Sequence, residues 1–464
     1  MPRDITTEQI FDHYSNFYEK HFANRRFNHA DILPLVNSLK SNKNFAVSLL
    51  GRSVEDREIF SIKWGEGKTK VLLWSQMHGD EPTATMAIFD LINFLNADDE
   101  FNDLRETLNK ELSIYFIPML NPDGAERVIR ENAIGIDLNR DAQKLAAPES
   151  RILKSIVDEL KPEYGFNLHD QDIRWSAGGG SNPATIALLS PQFDDECTLN
   201  EVRENAIKVI ADIYTLLEKY IPGSIAKYGE EYEPRSFGDS ITEWGTSVIL
   251  IESGKRRNDP EKEFIRKLNF ASLIEAFKSI AAGSKNESAL KIYKEIPNNG
   301  KLLYDLILRN LNYNYAGSTY NIDVAVNIEE YFDSHKKNRY FRGKIESIGD
   351  LESAYGYDEI DCTGMNIYPG KIFINGSSQI GSNELRELLN NGYTHIEDIN
   401  SKNHTYTKLP LNIIKNKAKF ENEIRVNRYA NFFAADSKVN YTIVNGFVYD
   451  CNSKTGVIKN GLVF

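Results

Sequence analysis

Along the amino-terminal part of the chain, short apolar runs stop at polar turns, and stretches with apolar residues three and four apart follow them. Val71 to Trp74 is apolar without alternation, the pattern of a strand covered on both faces. From Ala84 the positions Ala87, Ile88, Leu91, Ile92 and Leu95 recur at helical spacing, and Pro82 suits the opening turn of that helix. The stretch between them, which carries His78, Asp80 and Glu81, is therefore a strand-to-helix turn at the carboxyl edge of an α/β sheet, where ligands bind. The alternation continues: strands over Glu111–Leu120, Tyr164–His169, Ile186–Leu189 and Thr246–Glu252, and helices over Pro148–Leu160, Leu199–Tyr220 and roughly Glu261–Ala282. Ahead of them the pattern predicts helices over Thr7–Ala23 and His29–Leu39 and strands over Ser48–Ser53 and Arg57–Trp64. Two segments break the rhythm: a charged loop before Glu111, and Arg127–Arg140, too polar for a core element and too apolar for a disordered linker. The second reads as an ordered loop of the kind that carries sites.

Beyond about Asn286 the texture changes to short β-prone pieces such as Ile322–Asn327 and Tyr441–Tyr449, separated by Asn, Gly and Ser and interrupted by one helix near Ser382–Leu389. Two domains follow: an α/β domain over residues 1–285 and a smaller β-rich accessory domain over 286–464. The length of 464 residues fits that division, since one hydrophobic core rarely serves so long a chain.

The net charge of −12 disfavours a phosphate-backbone partner, because nucleic-acid binders neutralise phosphates with a basic face. Peptides or small amino-acyl molecules suit it better. Cys197, Cys362 and Cys451 are far apart and odd in number, which argues against a disulfide framework or a thiolate metal cage and points to a reducing compartment. The first residues lack the apolar core of a secretory signal and no run approaches a membrane span, so the expectation is a cytoplasmic protein without a membrane partner.

His78 with Glu81, His169, and Glu252 stand at or just past the ends of three separate expected strands, and in a mostly parallel sheet those ends gather on one edge. Two imidazoles and a carboxylate are the donor set of a catalytic zinc site that keeps its fourth position for water. Zinc lowers the pKa of bound water toward about 7 and polarises a carbonyl. A neighbouring carboxylate that is not a ligand then serves as general base, and Glu252 fits. Each residue has a plainer reading when taken alone. Asp80 and Glu81 suit helix capping, His169 suits a satisfied core histidine, and Glu252 suits pairing with Lys255, Arg256 or Arg257. Arg130, Asn139 and Arg140 could be ordinary surface polar groups, His13, His21 and His29 read as surface or packing residues, and His335, His395 and His404 as surface residues. The weight rests on order and placement, since independent accidents do not all fall at strand ends.

Residues from about Leu50 to Ala282 resemble the zinc carboxypeptidases of the M14 type. His78-Gly-Asp-Glu81 resembles that family's first zinc pair, Asn121-Pro-Asp-Gly124 its following turn, and Gly135-Ile-Asp-Leu-Asn-Arg140 its substrate loop. Asn167-Leu-His169 resembles the third ligand's motif, and Leu250-Ile-Glu252 that of the base. The resemblance implies a central twisted, mixed eight-stranded sheet flanked by helices, with a zinc cofactor on His78, Glu81 and His169. It implies that Asn139 and Arg140 hold the substrate's terminal carboxylate, for which a guanidinium offers a planar two-donor fork. Arg130 is the implied oxyanion stabiliser, with Arg127 competing, and Asp137 the carboxylate that orients His78.

Asp239-Ser-Ile-Thr-Glu-Trp244 resembles the specificity-pocket stretch but is about one residue out of register, and Tyr228 and Tyr232 do not match the spacing of the family's mobile tyrosine. The preferred terminal residue stays open. In the carboxyl-terminal part, Asp358 to Gly370 and Val444 to Asp450 resemble the small β-sandwich beside amidohydrolase barrels, but Pro369-Gly370 leads to no His-x-His pair. The sequence thus points to a zinc-dependent carboxypeptidase. The alternatives are a deacylase of N-acyl amino acids, similar to aspartoacylase and succinylglutamate desuccinylase, and a non-catalytic peptide-binding module.

Overall fold

The computed structural model describes residues 5–22, 24–333, 338–374, 379–402, 405–416 and 422–464. The chain divides into two compact units, residues 1–301 and 302–464.

In the first unit the order is α1 (Thr7–Asp12), α2 (His29–Leu39), β1 (Phe45–Arg52), β2 (Glu58–Trp64), β3 (Thr69–Ser75), α3 (Thr83–Asn96), α4 (Asn102–Glu111), β4 (Leu112–Ile117), α5 (Pro122–Arg127) and α6 (Pro148–Leu160). There follow β5 (Tyr164–Asp170), β6 (Trp175–Ala177), β7 (Ile186–Leu189), α7 (Glu201–Leu217), β8 (Ile225–Lys227), α8 (Phe237–Glu243), β9 (Ser247–Ser253), α9 (Glu263–Ala281), α10 (Ala289–Glu295) and β10 (Asn299–Lys301). Eight strands form a mixed sheet in the order β1-β2-β4-β3-β5-β9-β7-β8. Its centre, β4-β3-β5-β9, is parallel, and antiparallel pairs flank it.

Strand alternation explains why the central strands are apolar throughout. Val71 and Leu73 join the core under α3, α7 and α9, while Leu72 and Trp74 of the same strand join a second core with Leu153 and Val157 of α6 and Ile241 of α8. Helices therefore cover both faces, and the carboxyl ends of β3, β5 and β9 are left on one edge.

Three details differ from the sequence reading. α1 ends at Asp12 and yields to a 3-10 turn over Tyr14–Asn16, where the Tyr14 hydroxyl donates to buried Asp90 at 2.7 Å. The expected charged loop before Glu111 contains α4, which is anchored by a cation more than by an apolar stripe. Buried Arg105 donates to Phe94 O at 2.6 Å and lies 4.6 Å from the Phe94 ring centre. The first unit also runs to Lys301, past the expected boundary near 285. There β10 pairs antiparallel with β6, and Tyr293 of α10 is buried with its hydroxyl 3.3 Å from the Ser190 amide.

In the second unit, strands Leu303–Tyr315, Ser318–Asp333 and Asn338–Gly349 pair antiparallel within an eight-stranded sheet. Its core holds Leu306, Val324, Ile345, Phe432 and Ile443. The helix Ser382–Asn390 is present, and a small three-stranded sheet contains Tyr393–Glu397. His395 on that strand is not a surface residue: it is fully buried, 2.7 Å from the Thr394 hydroxyl, and burial pulls its pKa down to about 3. His335 and His404 lie outside the described residues. Among the described residues no helix is long and apolar enough to cross a membrane.

Candidate metal and catalytic centre

The turn after β3 is shaped by backbone contact. A Cβ on Gly79 would stand 1.9 Å from the carbonyl carbon of Gly124, so the His78 turn and the Asn121-Pro-Asp-Gly124 turn meet where only glycine fits. Asn121 locks them together. Its Oδ1 accepts the Gly124 amide at 2.9 Å, and its Nδ2 donates to Met77 O at 3.2 Å and Arg130 O at 3.3 Å. The residues on either side of Asn121 in space are therefore the neighbour of His78 and the carbonyl of Arg130.

Strand register then supplies the other groups. β3 pairs with β5 as Ser75 opposite Leu168, and β5 pairs with β9 as His169 opposite Glu252. His78, Glu81, His169 and Glu252 are all buried. The Glu81 carboxylate stands between the two imidazoles: Oε1 is 2.8 Å from His78 Nδ1 and Oε2 is 2.7 Å from His169 Nδ1. One donor atom from each of the three residues lies within 4.8 Å of the others, so His78, Glu81 and His169 form a group able to hold one metal ion.

Asp137 takes the far side of His78, with Oδ1 3.1 Å from Nε2, and its Oδ2 accepts from Arg130 Nε at 3.0 Å. An imidazole held at Nε2 by a carboxylate presents Nδ1 to the centre, the arrangement that orients metal-bound histidines. Arg130 Nη1 reaches to 3.5 Å from Glu81 Oε1 and 3.1 Å from His78 Nδ1. Arg127, the competing arginine, instead pairs with Glu55 and donates to Asp123 O.

Asp137 Oδ1 also accepts the Asn139 amide at 2.9 Å, opening the 3-10 turn Leu138–Arg140. The Asn139 side-chain oxygen accepts the Phe237 amide of α8 at 2.9 Å, which leaves its Nδ2 to act as donor. Arg140 is half-exposed, donates to Asn139 O at 2.6 Å and lies 3.6 Å from Glu233.

The electrostatics follow from burial opposed by neighbours. Burial works against the charged form of His78, but Glu81 and Asp137 outweigh it and push its pKa up to about 9. Burial dominates at His169 and lowers its pKa, leaving a neutral imidazole, the form that binds metal. Glu81 is held well below the carboxylate range: desolvation raises it, but both histidines lower it further. Glu252 moves the opposite way, pushed well up by burial and then by the Glu81 charge. Its Oε2 is buried without a hydrogen-bond partner among the described residues. The donor set is that of a catalytic His2Glu zinc site, and the uncommitted carboxylate beside it, made more basic by burial, suits a general base.

One neighbour was not legible as part of the centre. Tyr228 follows β8, whose Ala226 pairs with Ala187, which pairs with Glu252, so Tyr228 shares the face of Glu252. The Glu252 charge, then burial, raises its hydroxyl pKa. β8 is three residues long and runs opposite to β9, so no strand-end pattern marks it.

The zinc carboxypeptidase family model matches residues 35–182. That span holds His78, Glu81, Arg130, Asp137, Asn139, Arg140 and His169, but not Tyr228 or Glu252. Carboxypeptidase D of Rattus norvegicus is 26% identical over 59% of this chain and 22% of its own length. Carboxypeptidase 2 of Trichophyton rubrum is 29% identical over 40% of this chain and 33% of its own. The matches thus span between about a fifth and a third of these curated relatives. Among solved structures, a metallo-carboxypeptidase from Burkholderia cenocepacia is 18% identical with a TM-score of 0.46, covering 55% of this chain and 70% of that one.

Proposed function

Since residues 35–182 match the zinc carboxypeptidase family model, we propose that this chain is a zinc-dependent peptidase that removes the carboxyl-terminal residue of a peptide. The observation that carries the reading is the convergence of His78, Glu81 and His169 on one point, with Glu252 directly across from His169.

Zinc held by His78, Glu81 and His169 would supply a Lewis acid that polarises the scissile carbonyl and acidifies water. The chain's own residues account for the rest. Asn139 Nδ2 and the Arg140 guanidinium bind the terminal carboxylate, which fixes the end of the peptide that enters. Glu252 takes a proton from the attacking water and returns it to the leaving amine. A carboxyl whose pKa is raised by burial holds that proton more firmly between the two transfers than an ordinary glutamate does. Arg130, already beside Glu81, offers its guanidinium to the oxyanion of the tetrahedral intermediate. Asp137 keeps His78 and Arg130 in place by bonding both. The three cysteines are free, Cys197 exposed, which supports a reducing compartment such as the cytoplasm as the setting.

The test is a parallel assay of peptides with free carboxyl termini, the same peptides amidated, and N-acyl amino acids, with E252Q as control. Hydrolysis of the free peptides alone, abolished in E252Q, is the expected result. Turnover confined to N-acyl amino acids would assign the deacylase reaction, and no turnover by zinc-loaded protein would leave a binding module.

A further inference from the structure

A single buried ammonium touches the segments that follow the third metal ligand and the base. Lys262, at the cap of α9, is 5% exposed. Its Nζ donates to Asp170 Oδ2 at 2.9 Å and to Ser253 O at 3.0 Å. Asp170 is the residue after His169, and Ser253 the residue after Glu252; the two stand opposite one another in the β5-β9 register. The same Asp170 oxygen accepts the Thr83 hydroxyl at 2.6 Å, and the Asp170 amide donates to Glu81 Oε2 at 3.2 Å. Thr83 lies two residues past Glu81 in the first turn of α3. Asn269 of α9 adds a bond from its Nδ2 to Ser253 Oγ at 2.9 Å.

We propose that Lys262 is a positioning residue for this centre, tying the ends of β5 and β9 and the start of α3 into one unit through Asp170 and Ser253. The inference rests on the reading above that His78, Glu81 and His169 hold zinc and Glu252 acts on water. Three observations carry it. Among the described residues the ammonium's hydrogen bonds go to groups adjacent to site residues. Ladder bonds alone fix strands in register but not the depth of a helix start against a sheet edge, and Thr83 to Asp170 to Lys262 spans that gap. Glu81, Asp170 and Glu252 also crowd three carboxylates at one edge, and Lys262 bonds Asp170. Burial lowers the pKa of the ammonium and the charges of Arg25 and Arg26 add to that, while the Asp170 carboxylate acts in the opposite direction. Arg266, the other buried cation of α9, is a contrast. It pairs with Asp90 and bonds Glu19 O, groups that hold the amino-terminal segment and lie next to no ligand.

The experiment compares full-length wild type, K262M and the double variant K262M/D170N. Zinc affinity is read by chelator competition, thermal unfolding without metal by calorimetry, and kcat and KM on a carboxyl-terminal peptide. K262M should bind zinc on the order of 10- to 100-fold more weakly and lose kcat with KM changed little. It should also unfold earlier, since an unpaired buried carboxylate remains. In the double variant that charge is gone and unfolding temperature should recover, while zinc affinity and kcat stay low because the tie to Ser253 is still missing. Should affinity and kcat return together with stability, or should K262M keep both near wild type, Lys262 has no positioning role. If K262M does not fold, the double variant decides by the same two readouts. Failure of the peptidase reading would be seen separately, as wild type that binds zinc and cleaves no peptide, with the affinity comparison still standing.

Discussion

Two regions of the molecule bury histidine among polar side chains, and they do so to opposite ends. In the second unit His395 stands in a cluster of neutral amides that satisfy one another and the backbone. Asn431 Oδ1 accepts from Asn412 Nδ2 and from the Asn445 amide, both at 2.7 Å, while Asn445 Oδ1 accepts the Gly343 amide at 2.8 Å. Burial holds His395 neutral, with a pKa near 3. In the first unit His78 is driven the other way, to about 9, by the buried Glu81 and partly buried Asp137 carboxylates, and Glu252 keeps an oxygen without a hydrogen bond among the described residues. A polar core whose donors and acceptors match specifies structure, whereas one that concentrates charge and leaves groups unmatched is arranged for a ligand.

That contrast breaks most sharply at the charged centre. E252Q should lower kcat on a carboxyl-terminal peptide on the order of 10³- to 10⁴-fold while zinc content and unfolding temperature hold. H169A should lose both zinc and activity, with metal content by mass spectrometry as the check. R130K keeps the charge but not the planar fork, and should cost on the order of 10² in kcat. R127K, whose parent pairs with Glu55, should leave steady-state kinetics near wild type.

Damage to the neutral cluster should read out only as stability. N431A leaves two buried donors without their acceptor and should cost about 1–3 kcal/mol in denaturant unfolding of the second unit, with zinc content unchanged.

A pH-dependent effect turns part of the first region into the second. Buried Asp239 accepts the Glu233 amide at 3.0 Å, and desolvation pushes its pKa up to about 7. An acid raised on folding contributes stability that is present below its unfolded value and is lost as pH rises through about 7. Wild type should therefore lose stability between about pH 4 and 7, and D239N, an amide of the same shape, should flatten that slope in unfolding temperatures measured across the range.

The parts of the molecule legible in its sequence are those in which local pattern and tertiary role agree. Val71 to Trp74 is apolar because both its faces are covered, and His78 and Glu81 follow it because a strand end opens onto the edge. α6 lies over Pro148–Leu160, where the periodicity places it. Elements held by single polar anchors escaped that logic. α4 depends on Arg105 stacked on Phe94, and the end of the first unit depends on Asn299–Lys301 pairing with a strand far earlier in the chain. His395 looks like any polar-strand histidine until Asn412 and Thr394 surround it. Tyr228 and Lys262 reach the centre from a three-residue strand and a helix cap, neither of which carries a periodic signal.

The central claim is that His78, Glu81 and His169 hold one zinc ion. Anomalous diffraction on either side of the zinc absorption edge, from crystals of protein purified without chelator, tests it directly. A single peak about 2.0–2.2 Å from one atom of each of the three side chains is the predicted result. The absence of a peak there, or a peak bound by other residues, would contradict it.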